Sequence, residues 1–137
     1  MFEKLKERRG EFLINHAFGL ILGAAVLCLV ISALSVAFQS NKLTTIANNL
    51  TRSIEIRGQV DHASINSELS SLTATAGLEN VAFSIDANYF DNEGRIQYGS
   101  SFIVTLTYTA ELDLGGLVEI PIPLRSRVVG RSEVYWK

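Results

Sequence analysis

Apolar residues run without a charge from Ala17 to Phe38, then settle into a helical rhythm, and after Gly77 into alternation. Each regime predicts a different element. The first stretch, A-F-G-L-I-L-G-A-A-V-L-C-L-V-I-S-A-L-S-V-A-F, holds 22 residues. As a helix it measures roughly 33 Å at about 1.5 Å per residue, enough to cross a hydrocarbon core of about 30 Å. A helix that is apolar on every face has little use in a soluble domain of this size, so it reads as a membrane-spanning segment. Leu43, Ile46, Ala47, Leu50 and Ile54 then share one helical face, with Thr44, Asn48, Asn49 and Arg52 off it. No Pro or Gly interrupts the chain between Gly23 and Gly58. The pattern therefore predicts one helix from about residue 12 to 57: a membrane half, then an amphipathic half, with Gly58 as the stop.

A second helix is expected from about Ala63 to Ala76, with Ile65, Leu69, Leu72 and Ala76 on one side. Asp61 can cap its start, and Gly77 sits where helices often end in a left-handed residue. Beyond it, Val81, Phe83, Ile85 and Ala87 alternate with Ala82, Ser84 and Asp86, and Asp91-Asn92-Glu93-Gly94 forms a turn. The clearest strand is 102–114, with Phe102, Val104, Leu106, Tyr108, Ala110, Leu112 and Leu114 on one apolar face and Ile103, Thr105, Thr107, Thr109, Glu111 and Asp113 on the other, mostly hydroxylated or acidic, face. Gly115-Gly116 turns the chain back into Val118, Ile120, Ile122 and Leu124. A two-residue loop would set Leu112 against Glu119, so a three-residue loop with a bulge is expected, which keeps the even positions of both strands on one face. Pro121 and Pro123, two apart, leave one edge of their strand without N–H donors, so the sheet should end there. The run from Arg125 to Trp136 is expected to bend at Gly130.

The fold class that follows is α+β. A long N-terminal helix and a short second helix precede a three- or four-stranded antiparallel sheet, as a hydrophobic stem carrying a compact head. The divisions are a basic tail or leader at 1–16, a transmembrane or filament-core helix at 17–38, and an extracytoplasmic head at 39–137, large enough for one small core and not for two.

Charge orients this stem. Lys4, Lys6, Arg8 and Arg9 precede it, whereas only Lys42 and Arg52 follow within about 15 residues. The tail is thus placed inside and the head outside. Ser35-Val36-Ala37 offers a competing reading as the cleavage site of a secretory signal, but the apolar run exceeds the usual 7–15 residues of such a signal. Over the whole chain 12 basic and 14 acidic residues leave a net charge of −2, which is no footprint of a nucleic-acid binder. The single cysteine, Cys28, lies within the apolar run, so the head has no disulfide and no thiolate metal site.

Within the stem, Gly19 and Gly23 form a G-x-x-x-G, accompanied by Ala24, Ser32, Ala33, Ser35 and Ala37. Small residues let helices approach closely in lipid, so these positions are candidates for packing against other stems. Catalytic chemistry has no such signature. His16 and His62 lack histidine or cysteine partners, and no nucleophile elbow, phosphate loop or metal-ligand spacing occurs. Glu111, Asp113 and Glu119 read as a solvated acidic edge rather than a Ca²⁺ loop. Arg125, Arg127 and Arg131 form a basic stripe suited to carboxylates within the fold or on a neighbouring subunit. Tyr135 and Trp136 either anchor the tail in the core or serve a contact. No enzyme activity, cofactor or metal is expected.

The short basic leader, the hydrophobic helix continuing as an amphipathic spine and the β-sheet head together resemble type IV pilin-like proteins. Arg9-Gly10-Glu11 and the ending Gly130-Arg131-Ser132-Glu133-Val134-Tyr135-Trp136-Lys137 are more specifically similar to a poorly characterised family encoded on conjugative and mobile elements of Gram-positive bacteria, related to the tight-adherence pseudopilins. The resemblance implies a processing site at Gly10 and Glu11. One departure is that Asn15 occupies the fifth position after Gly10, where such pilins usually carry glutamate. It also implies a structural subunit of a surface filament or of a conjugation or secretion apparatus, assembled through its hydrophobic helix with copies of itself. The alternative is a single-pass, membrane-anchored binding module of a transfer complex.

Overall fold

The computed structural model describes Phe2–Lys137, with side chains from Gly10 onward, so the side chains of the basic leader Lys4, Lys6, Arg8 and Arg9 lie outside the described residues. Helix α1 spans Phe2–Arg57, 56 residues, beginning ten residues before the expected start near residue 12. Periodicity marks only where a helix needs a packing face. Gly58 ends the helix with φ of 62°, as expected of a left-handed stop.

Helix α2 spans His62–Ala76. The Asp61 side chain accepts a hydrogen bond from the Ala63 N–H, and Gly77 closes the other end at φ 69°. Replacing Asp61 with Ala should destabilise the head by about 1 kcal/mol, because one orphan N–H of the first turn loses its acceptor. Chemical denaturation of the purified full chain would measure it, and an unchanged midpoint would mean the cap contributes nothing.

Strands β1 (Ala82–Ala87), β2 (Ser101–Asp113) and β3 (Glu119–Arg131) form one antiparallel sheet in the order β1-β2-β3. The hairpin register sets Leu112 opposite Ile120, Ala110 opposite Ile122 and Tyr108 opposite Leu124. Even positions therefore share a face, as the pattern required. Leu114 N–H donates to the Val118 carbonyl at 3.0 Å, closing an odd loop of Gly115, Gly116 and Leu117. The pairing runs without a slip from Ser101–Arg131 to Asp113–Glu119, so any irregularity is confined to the turn itself. Odd parity alone suffices to keep the faces aligned. Pro121 and Pro123 face Glu111 and Thr109, and β3 is an edge strand, so their missing donors point away from the sheet.

β3 also runs straight through Gly130, where a bend was expected. Gly130 is needed for space. A Cβ there would stand 2.5 Å from Phe102 Cζ and 2.6 Å from Thr51 Cγ2. The glycine lets helix, strand and ring meet at one point.

The core lies between the sheet and the amphipathic half of α1. Leu43, Ile46, Ala47, Leu50 and Ile54 of α1 meet Phe102, Val104 and Leu106 of β2, and Ile65 and Leu69 of α2 close the side. Ile96, fully buried, is fixed by the backbone: its N–H donates to the Gly58 carbonyl at 2.8 Å. Trp136 is half-buried and latched by residues distant in the chain rather than sunk in the core. Its indole N–H donates to the Gly58 carbonyl at 3.1 Å, and Gln97 bonds both its N–H (2.8 Å) and its carbonyl (2.9 Å). Arg95 lies over the ring at 4.8 Å, a cation–π arrangement. Tyr135 points outward.

Candidate functional site

The stem is the largest feature that the fold leaves unsatisfied. Its most apolar 18-residue window has a mean hydropathy of 2.7, and none of it is buried. Phe18, Leu20, Ile21, Leu22, Val26 and Leu27 are all exposed. The length and apolarity of this rod are compatible with a membrane anchor.

The candidate packing residues do not share one face. At about 100° per residue, Gly19, Gly23, Val26, Val30, Ala33 and Ala37 fall within a sector roughly 80° wide. No atom lies within 4 Å of a Cβ placed at Gly19 or Gly23, and Ala33 is exposed. Ala24 and Ser32 point elsewhere. The Ser32 hydroxyl donates to the Asp113 carbonyl. The other small residues near it are also engaged: Cys28, Ser32 and Ser35 line a shallow recess with Glu111, Asp113 and Gly115. The hairpin thus takes one side of the stem and leaves the glycine side open. Gly10 and Glu11 of the implied processing site lie on the helix, with Glu11 exposed.

Sequence reasoning could not have found this seam. It follows from the length of the ribbon. β1 stops pairing at Thr107, so β2 continues as a two-stranded ribbon for six residues to Asp113, about 20 Å at roughly 3.3 Å each. From Leu43, where the core begins, back to Cys28 is fifteen residues of helix, about 22 Å at 1.5 Å each. The two lengths match, and the ribbon lies along the stem past the boundary drawn at residue 38.

The charged residues serve the fold. Asp113 accepts from the Gly116 N–H at 2.6 Å, holding the turn, and faces Glu119 across the strands. Arg125, Arg127 and Arg131 make no side-chain ion pair among the described residues; instead the Arg131 N–H donates to Glu55 at 3.0 Å. The carboxylates that do pair are elsewhere. Arg52 bonds Glu133 at 2.6 Å and Glu55 at 3.1 Å. Those bonds, Glu133 first, hold its guanidinium above its ordinary pKa. Arg57 bonds Glu68 at 3.1 Å. These contacts tie the end of α1 to α2 and to the C-terminal segment.

Among the described residues no group of three or more His, Cys, Asp or Glu could hold a metal ion. His62 is exposed at the start of α2, and His16 stacks on Phe12 with ring centres 4.5 Å apart. A polar groove beside α2 is lined by Gln59, Asp61, His62, Tyr89 and Glu93. The Tyr89 phenol there is raised in pKa by partial burial and then by the Asp86 carboxylate.

Residues 20–137 match the family described as a domain of unknown function, DUF4320. Neither the curated proteins nor the solved structures yield a match.

Proposed function

The chain belongs to the DUF4320 family, and we propose that it is a structural subunit, pilin-like in plan, whose stems bundle while its heads form an outer surface. The observation that carries this reading is the stem face from Gly19 to Ala37, open along its whole length and opposite the side that the hairpin occupies. Gly19 and Gly23 on that face allow close helix approach, which in lipid is driven by packing rather than by water, and Ala33 and Ala37 continue the same small-residue face toward the head. Once the stem leaves the bilayer, burial against neighbours becomes strongly favourable. At about 25 cal/mol per Å², half of such a helix gains on the order of tens of kcal/mol relative to water. Extraction itself needs other machinery, because lipid covers the same surface equally well. The resemblance of the leader and C-terminal motifs supports a place in a surface filament or conjugation apparatus, reached from a membrane in which the tail lies inside and the head outside.

Gly19→Leu and Gly23→Leu test this reading. Both positions are free of contacts within the subunit, so the unfolding midpoint of the head should stay within about 0.5 kcal/mol of the parent. Electron microscopy of sheared surface material should show fibres containing the parent chain and few or none with either variant. Fibres in undiminished number would refute close stem packing. Parent chain found only as dispersed membrane-bound monomer would favour the tethered binding module.

A further inference from the structure

We propose that the tip of the β2–β3 hairpin, Gly115–Val118, rests on the outer surface of the membrane, and that the lipid-spanning part of α1 is Phe12–Leu27 rather than the longer apolar run. The inference rests on the stem lying in a membrane, and not on its assembly into fibres.

The hairpin runs antiparallel to the stem, so its turn points toward the membrane end of the molecule. One hydrogen bond and two proximities fix its depth: the Ser32 hydroxyl donates to the Asp113 carbonyl, Ser35 and Glu111 line one recess, and a Cβ on Gly115 would stand 3.8 Å from Cys28 Sγ. Whatever surrounds Cys28–Ser35 must therefore also accommodate the ribbon.

Hydrocarbon cannot do so. Beyond Thr107 the ribbon has two open edges, and lipid-exposed edges do not occur at hydrocarbon depth because their backbone groups find no partner. Glu111, Asp113 and Glu119 are exposed on it, and carboxylates are expelled from that region. With the ribbon docked, the hydrocarbon boundary must fall below the tip, near Leu27.

The helix that remains fits this boundary. From Phe12 to Leu27 it carries no charged residue, and its polar pair Asn15 and His16 lies only four and five residues from Glu11, at the edge of the span. Its sixteen residues cover about 24 Å at 1.5 Å each, a little short of a typical core, which thinning of the bilayer and snorkelling of flanking residues accommodate. Glu11 and the charges before it mark the other boundary. The tip is suited to the interface. Leu117, 88% exposed, and Val118, 52% exposed, are the apolar residues nearest its end, with no protein surface to cover them. The partner is thus the headgroup and upper acyl layer of a lipid surface, and the head stands directly on it.

The test uses the full chain in phosphatidylcholine vesicles. Cys28→Ser provides a background in which single cysteines at Leu117, Leu20 and Val129 carry an environment-sensitive fluorophore. All three parent side chains are well exposed, so folding is spared. Nitroxide lipids labelled at the headgroup or at the chain end serve as quenchers. The Leu117 probe should shift to the blue and lose emission mainly to the headgroup label, the Leu20 probe mainly to the chain-end label, and the Val129 probe to neither. Separately, Gly115→Cys with native Cys28 should form a disulfide in the same vesicles under mild oxidation. A Leu117 probe that behaves like Val129, or that is quenched chiefly by the chain-end label, overturns the proposal. So does failure of the cross-link, which would mean that the ribbon swings off the stem in lipid. If Leu20 is also unquenched, the membrane reading of the stem falls with it; if Leu20 is quenched and Leu117 is not, only the placement of the tip is lost.

Discussion

Replacing Phe102 with Ala should lower the unfolding free energy of the head by about 3–5 kcal/mol. Phe102 is 1% exposed and is the largest fully buried side chain. It sits opposite Ala87 on one neighbouring strand and Gly130 on the other, so no large side chain beside it in the sheet can collapse into the space. The cost is therefore the transfer of the ring plus an unfilled cavity. Against a typical total of about 5–15 kcal/mol the loss is severe. Urea unfolding of the detergent-solubilised chain, followed by the fluorescence of the single Trp136, measures it. The indole is tied to Gly58 at the edge of the core and reports on its loss. A midpoint close to the parent would mean that the interface of helix and sheet is not where the stability resides.

Gly58→Ala is expected to cost about 2–5 kcal/mol through two separate effects. The residue has φ of 62°, which a side chain tolerates at a cost of about 1–2 kcal/mol. Its Cβ would also stand 2.5 Å from Val134 Cβ, an overpacking that costs about 1–3 kcal/mol. Gly77 separates the two effects. It has nearly the same backbone, φ 69°, with no atom within 4 Å of the added Cβ. Gly77→Ala should show the conformational cost alone. Equal losses for the two variants, by the same denaturation assay, would show that the C-terminal segment gives way freely and that the latch around Trp136 is weak.

Much of this fold is legible in the sequence because each element carries its own boundary chemistry. Asp61 and Gly77 frame α2, the alternation from Phe102 to Leu114 defines β2, and the parity of the hairpin follows from refusing to set Leu112 against Glu119. Pro121 and Pro123 identify the edge strand without reference to any partner. Three features escape for a common reason: they depend on distances between elements far apart in the chain. Gly130 looks like a bend until the Phe102 ring and Thr51 are placed beneath it. Trp136 has no sequence signal for its seat between Gln97, Arg95 and the end of α1. The hairpin's reach along the stem depends on comparing a strand length with a helix length, and no local pattern encodes that. The small residues of the stem show the same limit. Their abundance is visible in the sequence, but only the docked hairpin separates Gly19, Gly23 and Ala33, which remain free, from Ser32, which is engaged.

α1 has one further consequence. It joins the N-terminal end of the molecule to the core at Leu43–Ile54 as one unbroken helix with no proline along its 56 residues. A rod of about 84 Å at 1.5 Å per residue has no slack segment to lengthen under load. Tension applied at one end is delivered to the head at once, and displacement of the base by a given step lifts the head by the same step. In such a chain the stem and the head move as one body.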